Sequence, residues 1–158
     1  RHPDAQAAVA ASDCAVCLMH MRGEPGTMQN APAYGDVVRE VREFLAARVA
    51  AARAAGIDDC RLVLDPGFGF GKSLQHNLAL FRALTATGVD DLPMLVGVSR
   101  KSMLGAITGR PVEQRVAASI AAATLAALKG AKILRVHDVA ETSDALAVLA
   151  AIEKGDRQ

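Results

Sequence analysis

The sequence predicts an α/β fold made of repeated strand–loop–helix units with parallel strands. Three observations predict it. Short apolar runs without polar alternation occur at residues 15–19, 62–64, 94–98 and 133–136. Each run ends in polar residues and a loop that bears glycine or proline, and each is followed by a longer stretch with apolar residues three and four apart. Strands of this kind are buried on both faces, and right-handed crossovers make them parallel.

The elements follow in order. Asp36 is placed to cap a helix that buries Val37, Val41, Phe44, Leu45 and Val49, with Gly56 just past its end. A second helix runs from about Gln75, buries Leu78, Phe81 and Leu84, and stops before Gly88. Glu113 opens a third, with Val116, Ile120 and Ala127 on one stripe and Gly130 behind it. The fourth carries Ala145, Leu149 and Ile152 on one stripe, flanked by Leu146 and Val148. Two architectures share this pattern, a doubly wound open sheet and part of a (β/α)8 barrel. In both, the strand ends form the site, so His20, Asp65, Ser99, Arg100, His137 and Asp138 are expected at one mouth.

Composition narrows the function classes. The 158 residues are half hydrophobic, which is one domain's worth of core, and the net charge is +1. That balance gives no global electrostatic case for nucleic acid or membrane. Aromatic residues are scarce, with no Trp and one Tyr, so there is no base-stacking platform. Cys14 and Cys17 form a CxxC without a second pair, inside an apolar run, and a strand turns residues three apart to opposite faces. A structural role is the expected one. Three thiols and no secretory segment point to a reducing compartment, the cytoplasm.

Residues 62–73 read LVLDPGFGFGKS. The stretch fits neither phosphate-loop template. Pro66 stands where a P-loop has its first glycine, and the dinucleotide pattern ends on Lys72 or Leu74 instead of glycine. Asp65 at a strand end can instead accept two parallel N–H donors from a planar, guanidine-like edge. Gly67, Gly69 and Gly71 let backbone approach a flat ligand, and Phe68 or Phe70 can cover its ring. The plain alternative is a turn aspartate with core phenylalanines. In VGVSRKSMLG, Ser102 is placed to cap a helix and Lys101 is free to enter the mouth; a solvated basic turn is the plain alternative, and for the Arg-Lys pair alone the stronger one. Arg135 and His137 lie two apart in ILRVHDV, on one strand face, where an Arg fork and a donating His make an anion site.

CLMHMRGEPGTMQ, LDPGFGFGKS, VGVSRKSMLG and RVHDV, in this order and at these spacings, resemble the dihydropteroate synthase family over residues 14–138. The resemblance implies the second half of that family's (β/α)8 barrel, strands five to eight with their helices. Residues 1–158 would then be a partial pterin-binding barrel domain without its N-terminal half.

The implied activity joins 6-hydroxymethyl-7,8-dihydropterin diphosphate to 4-aminobenzoate, releasing diphosphate and making dihydropteroate for folate. Asp65 would take the pterin's amino and ring N–H edge, Lys101 would contact the pterin, Met19 would pack on its ring, and Gly69 would admit it. Phe70 and Ser102 would help form the aminobenzoate pocket. Arg135 and His137 would hold the diphosphate, which makes them, with Lys101, the catalytic residues.

The family's Mg²⁺ would depend on an early asparagine in the missing half, so no metal ligand is expected in this chain. A homodimer is implied for the full-length family, and an inactive fragment for the isolated chain. A methyltransferase acting on methyltetrahydrofolate uses the same barrel but needs no diphosphate clamp, so Arg135 with His137 argues against it. A catalytically silent half-barrel acting through partner contacts is the other alternative.

Overall fold

A computed structural model describes residues 5–153. After a short helix α1 (Ala5–Ala10), the order is β1 (Val16–Met19), α2 (Val37–Ala54), β2 (Leu62–Asp65) and α3 (Leu74–Arg82). Then come β3 (Leu95–Val96), α4 (Ser102–Thr108), α5 (Val116–Leu128), β4 (Ile133–Leu134) and α6 (Val139–Glu153). Single 3-10 turns stand before β2, after α3 and before α5.

All strand pairs are parallel and follow chain order. β1 pairs with β2 from Val16↔Leu62 to Met19↔Asp65, and β3 with β4 at Leu95↔Ile133 and Val96↔Leu134. A single bridge, Leu64↔Met94, joins the two pairs. A doubly wound sheet reverses its strand order at a switch point. The described strands show no such reversal.

Helix α2 forms as the sequence requires. Asp36 Oδ1 accepts from the amides of Val38 and Arg39, both at 3.0 Å. Val37, Val41, Leu45 and Val49 are buried on one stripe, against a core that includes Leu62, Leu64, Phe68 and Leu80. Each such side chain contributes ~1.5–3 kcal/mol of burial. Phe44 is a correction: it is 37 % exposed and makes a T-shaped contact with the His20 ring, centroids 4.9 Å apart, instead of entering the core.

The second helix starts one residue earlier than expected, at Leu74. Ser73 Oγ accepts from the His76 amide while the Ser73 amide donates to His76 Nδ1, each at 3.2 Å. Asn77 and Leu80 are its buried residues, and Leu78 and Phe81 are only half-buried.

The third and fourth helices differ from the sequence reading in the face they bury. α5 buries Ser119, Ala122, Ala123 and Ala126, not the Val116–Ile120–Ala127 stripe. Its faces are nearly all alanine, so hydropathy gives little contrast, and the smallest residues take the closest packing. α6 buries only Thr142, and Val148 and Ile152 are 61 % and 69 % exposed. The helix packs against α5 with Ala145, Leu146 and Leu149 half-buried, and the outer part of its apolar surface stays open. Ser102 is also corrected: it is the first residue of α4, Lys101 holds the cap position, and no side chain caps that end.

On the strands, Leu62, Leu64 and Val96 lie in the helix-covered core. Their alternates Cys17 and Ile133 are exposed and Val63 and Leu95 half-buried, so this second face is open. Asp65 follows Val63 by two and Arg135 follows Ile133 by two, which puts both groups on the open face.

Candidate functional site

Asp65 ends β2 and is 1 % exposed. Its Oδ1 accepts from the Gly67 amide at 2.7 Å, and its Oδ2 from Arg135 Nη2 at 3.0 Å. The turn role and the outward-facing acceptor role therefore coexist in one carboxylate. Met19 is its register partner on β1, and the His20 amide donates to Asp65 O at 3.0 Å.

The loop after Asp65 explains its glycines in two ways. Gly67 and Gly71 have φ of +69° and +64°, and an added Cβ would stand 1.8 Å from His20 O and 2.2 Å from Arg22 O. These two glycines serve contact with the chain's own β1–α2 loop, not with a ligand. Gly69, also at positive φ, has only the end of the Lys101 side chain near its open side, with Cδ at 3.3 Å. Of the three, Gly69 has room for a flat ligand.

Phe68 is fully buried against Phe81. Phe70 is half-buried, and Lys101 Nζ lies 4.6 Å above its ring while donating to Phe68 O. Burial and the nearby Arg135 charge pull the Lys101 ammonium down to about 8, with Asp65 opposing them.

Arg135 and His137 are brought to one cavity of about 180 Å³, lined also by Gly97, Ser99, Lys101 and Val136. They are not paired with each other. Arg135 turns to Asp65, whereas the His137 ring Nδ1 and amide meet Ser99 Oγ at 2.9 and 3.2 Å. Arg100 is paired with Asp138, with Nε at 3.2 Å from Oδ2, and its amide donates to Ser119 Oγ at 2.8 Å. Ser102 stands exposed beside Lys101.

Sequence reasoning missed the residues that hold the loop. Lys72 is 3 % exposed, and its Nζ reaches His20 Nδ1, Gly67 O and Phe70 O. Asn77 Oδ1 accepts from the Gly69 amide at 2.8 Å. Gln29 Nε2 donates to Gly69 O, and Tyr34 Oη to Gly71 O at 2.9 Å. An amide in an otherwise apolar helix stripe was the one signal available for Asn77. The three cysteines are free thiols. Among the described residues no three of His, Cys, Asp or Glu gather into a metal site, and no helix is long and apolar enough to cross a membrane.

A protein-family model described as pterin binding enzyme matches residues 1–137. The chain belongs to this family. It is 48 % identical over 149 residues to the dihydropteroate synthase of Escherichia coli K12, a match covering 94 % of this chain and 53 % of that protein. Among solved structures, Burkholderia cenocepacia dihydropteroate synthase complexed with 7,8-dihydropteroate superposes with a TM-score of 0.90 at 53 % identity, covering 97 % of this chain and 57 % of that one. Xanthomonas albilineans dihydropteroate synthase with 4-aminobenzoic acid gives 0.91 at 51 %, covering 99 % and 55 %. The chain thus spans about half the length of the pterin binding enzymes it matches.

Proposed function

We propose that this chain is the second half, strands five to eight, of a (β/α)8 barrel that acts as a dihydropteroate synthase. One observation carries the reading: Asp65, Lys101, Arg135 and His137 come from three consecutive parallel strand ends and meet at the Asp65–Arg135 pair and the adjoining cavity. The relatives' bound 7,8-dihydropteroate and 4-aminobenzoic acid support the same substrates here.

In this reading Asp65 accepts the pterin's amino and ring N–H edge. Met19 packs on the ring, Gly69 admits it and Lys101 contacts it. Phe70 and Ser102 border the 4-aminobenzoate. Arg135 and His137 hold the diphosphate. The carbon–oxygen bond between the pterin methylene and the diphosphate breaks, and its electron pair leaves with the diphosphate. Cations on that leaving group lower the barrier, as fixed charges do where charge develops. The arylamine nitrogen then bonds to the methylene carbon and loses a proton to solvent. The diphosphate clamp disfavours a methyltransferase, which has no such leaving group.

The Mg²⁺ proposed for the reaction is assigned, as the family resemblance implies, to an asparagine in the first half of the barrel, and no step here runs through it. A cytoplasmic homodimer is the proposed setting of the complete protein, and the isolated chain is proposed to be inactive.

The test joins this chain behind the first half of the Escherichia coli relative and measures diphosphate release with both substrates present. Sustained turnover should need both, and Asp65→Asn, which turns an acceptor into a donor facing the pterin edge, should lower pterin affinity tenfold or more. A cooperatively melting barrel that binds no pterin would overturn the reading.

A further inference from the structure

Five consecutive carbonyls, those of residues 67–71, each accept a hydrogen bond from a side chain. Lys72 Nζ serves Gly67 O at 2.9 Å and Phe70 O at 3.1 Å, Lys101 serves Phe68 O, Gln29 serves Gly69 O, and Tyr34 serves Gly71 O at 2.9 Å. Lys72 alone takes two of the five, and its third N–H points to His20 Nδ1 at 2.8 Å. An ammonium has three donors, and all three are used. With Lys72 charged, His20 Nδ1 is the acceptor of this contact, which places the proton of the neutral ring on Nε2.

We infer that Lys72 is the positioning residue of the pterin loop: its ammonium fixes the loop's carbonyls and so sets where Gly69, Phe70 and Lys101 meet the ligand. The inference rests on the proposed pterin-binding function. Lys72 Nζ has its three donors committed to protein acceptors and keeps none for a ligand. Its two carbonyl partners flank Phe68 and Gly69, the points where Lys101 and the open face of the loop stand.

Lysine is almost never fully buried without an anionic partner. Here its three partners are neutral, and desolvation pulls the ammonium down to about 7 although Asp65 opposes this. A group that costs burial energy yet ties three backbone or ring acceptors has a use other than core packing. The Met19–His20 end of β1, through His20 Nδ1, and the loop after β2 are thereby tied at one nitrogen.

Lys72→Ala in the completed barrel tests this. Pterin affinity, read by calorimetry with 6-hydroxymethyl-7,8-dihydropterin, should fall tenfold or more. Added propylamine replaces Cγ through Nζ and should recover at least threefold of that loss, whereas propan-1-ol, which fills the same space without three donors, should not. Unchanged affinity in Lys72→Ala, or equal recovery by both additives, overturns the inference. If the alanine variant does not fold, Lys72→Met in the 158-residue chain is compared with wild type by amide hydrogen exchange. Exchange at residues 67–71 should rise tenfold or more while α2 stays protected, and equal protection of the loop overturns the inference. Wild-type protein that binds no pterin sinks the proposed function but leaves this exchange comparison decisive for Lys72.

Discussion

Arg135 Nη2 lies 3.0 Å from Asp65 Oδ2 although their strands, β4 and β2, are not neighbours. The guanidinium crosses the end of β3 over Gly97, where an added Cβ would be 2.8 Å from Nη2. One glycine therefore lets the proposed anion clamp lean on the proposed pterin acceptor. The pair also explains how a buried carboxylate keeps both oxygens satisfied before a ligand arrives.

Arg135→Ala removes this partner as well as the clamp. The completed barrel should lose affinity for the pterin diphosphate tenfold or more, since hydrogen bonds to charged groups contribute ~1.5–3 kcal/mol each. Phosphate-free pterin should lose less than threefold. Calorimetry with the two ligands decides, and equal losses would remove Arg135 from the diphosphate site.

The glycines of the loop should separate by stability. Gly67→Ala drives a Cβ into His20 O, a backbone atom that cannot rotate away. Gly69→Ala meets only the flexible Lys101 stem and carries the left-handed backbone cost, about 1–2 kcal/mol. Thermal melts should therefore rank Gly67→Ala well below Gly69→Ala, and pterin affinity should fall in the Gly69 variant even though it folds. Equal melting temperatures would contradict the close approach of the β1–α2 loop.

His20 sets an acid limit. Burial first, then the Lys72 charge, lower its ring from 6.5 to about 4. The unfolded chain takes up that proton near pH ~6.5 while the folded chain does not. This residue's contribution is thus full above pH 6.5 and is lost as pH falls towards 4. Melting temperature should fall by roughly 6–12 °C over that window on this account, taking about 1.4 kcal/mol per pKa unit and roughly 2–4 °C per kcal/mol for a chain of this size. His20→Asn, which keeps an acceptor for Lys72, should flatten the slope. An identical slope in the variant would assign the acid limit to other groups.

Much of this was legible because local rules and tertiary structure agree. Asp36 caps where a short acceptor precedes an apolar stripe, and Asp65 ends a strand where polarity returns. Other parts were not. Nothing local says that Arg135 turns back to a carboxylate seventy residues earlier, because the path depends on Gly97 and on strand order. The role of Lys72 was hidden because lysine next to serine reads as a solvated loop end. The Gly67 and Gly71 contacts need the β1–α2 loop, whose fold has no periodic pattern. α5 has alanine on every side, so its buried face is decided by fit and not by hydropathy.

The last expectation concerns the chain by itself. The second sheet face is open, β1 and β4 each have one described strand partner, and α6, packed on α5, leaves apolar side chains uncovered on its outer side. Ile133, Val139, Val148 and Ile152 are 41 %, 66 %, 61 % and 69 % exposed. Covering side chains of this size contributes ~1.5–3 kcal/mol each, which in sum approaches a domain's whole margin of about 5–15 kcal/mol. Open parallel edges add unpaired backbone groups that invite a further strand. The isolated chain should therefore sediment as concentration-dependent assemblies above its own 16.5 kDa, and the first half of a relative added in trans should reduce that association. The same addition should bring diphosphate release, which the chain alone should lack. A compact monomer with a single cooperative melt would show that the exposed faces need no cover, and turnover by that monomer would show that the site is complete without the other half.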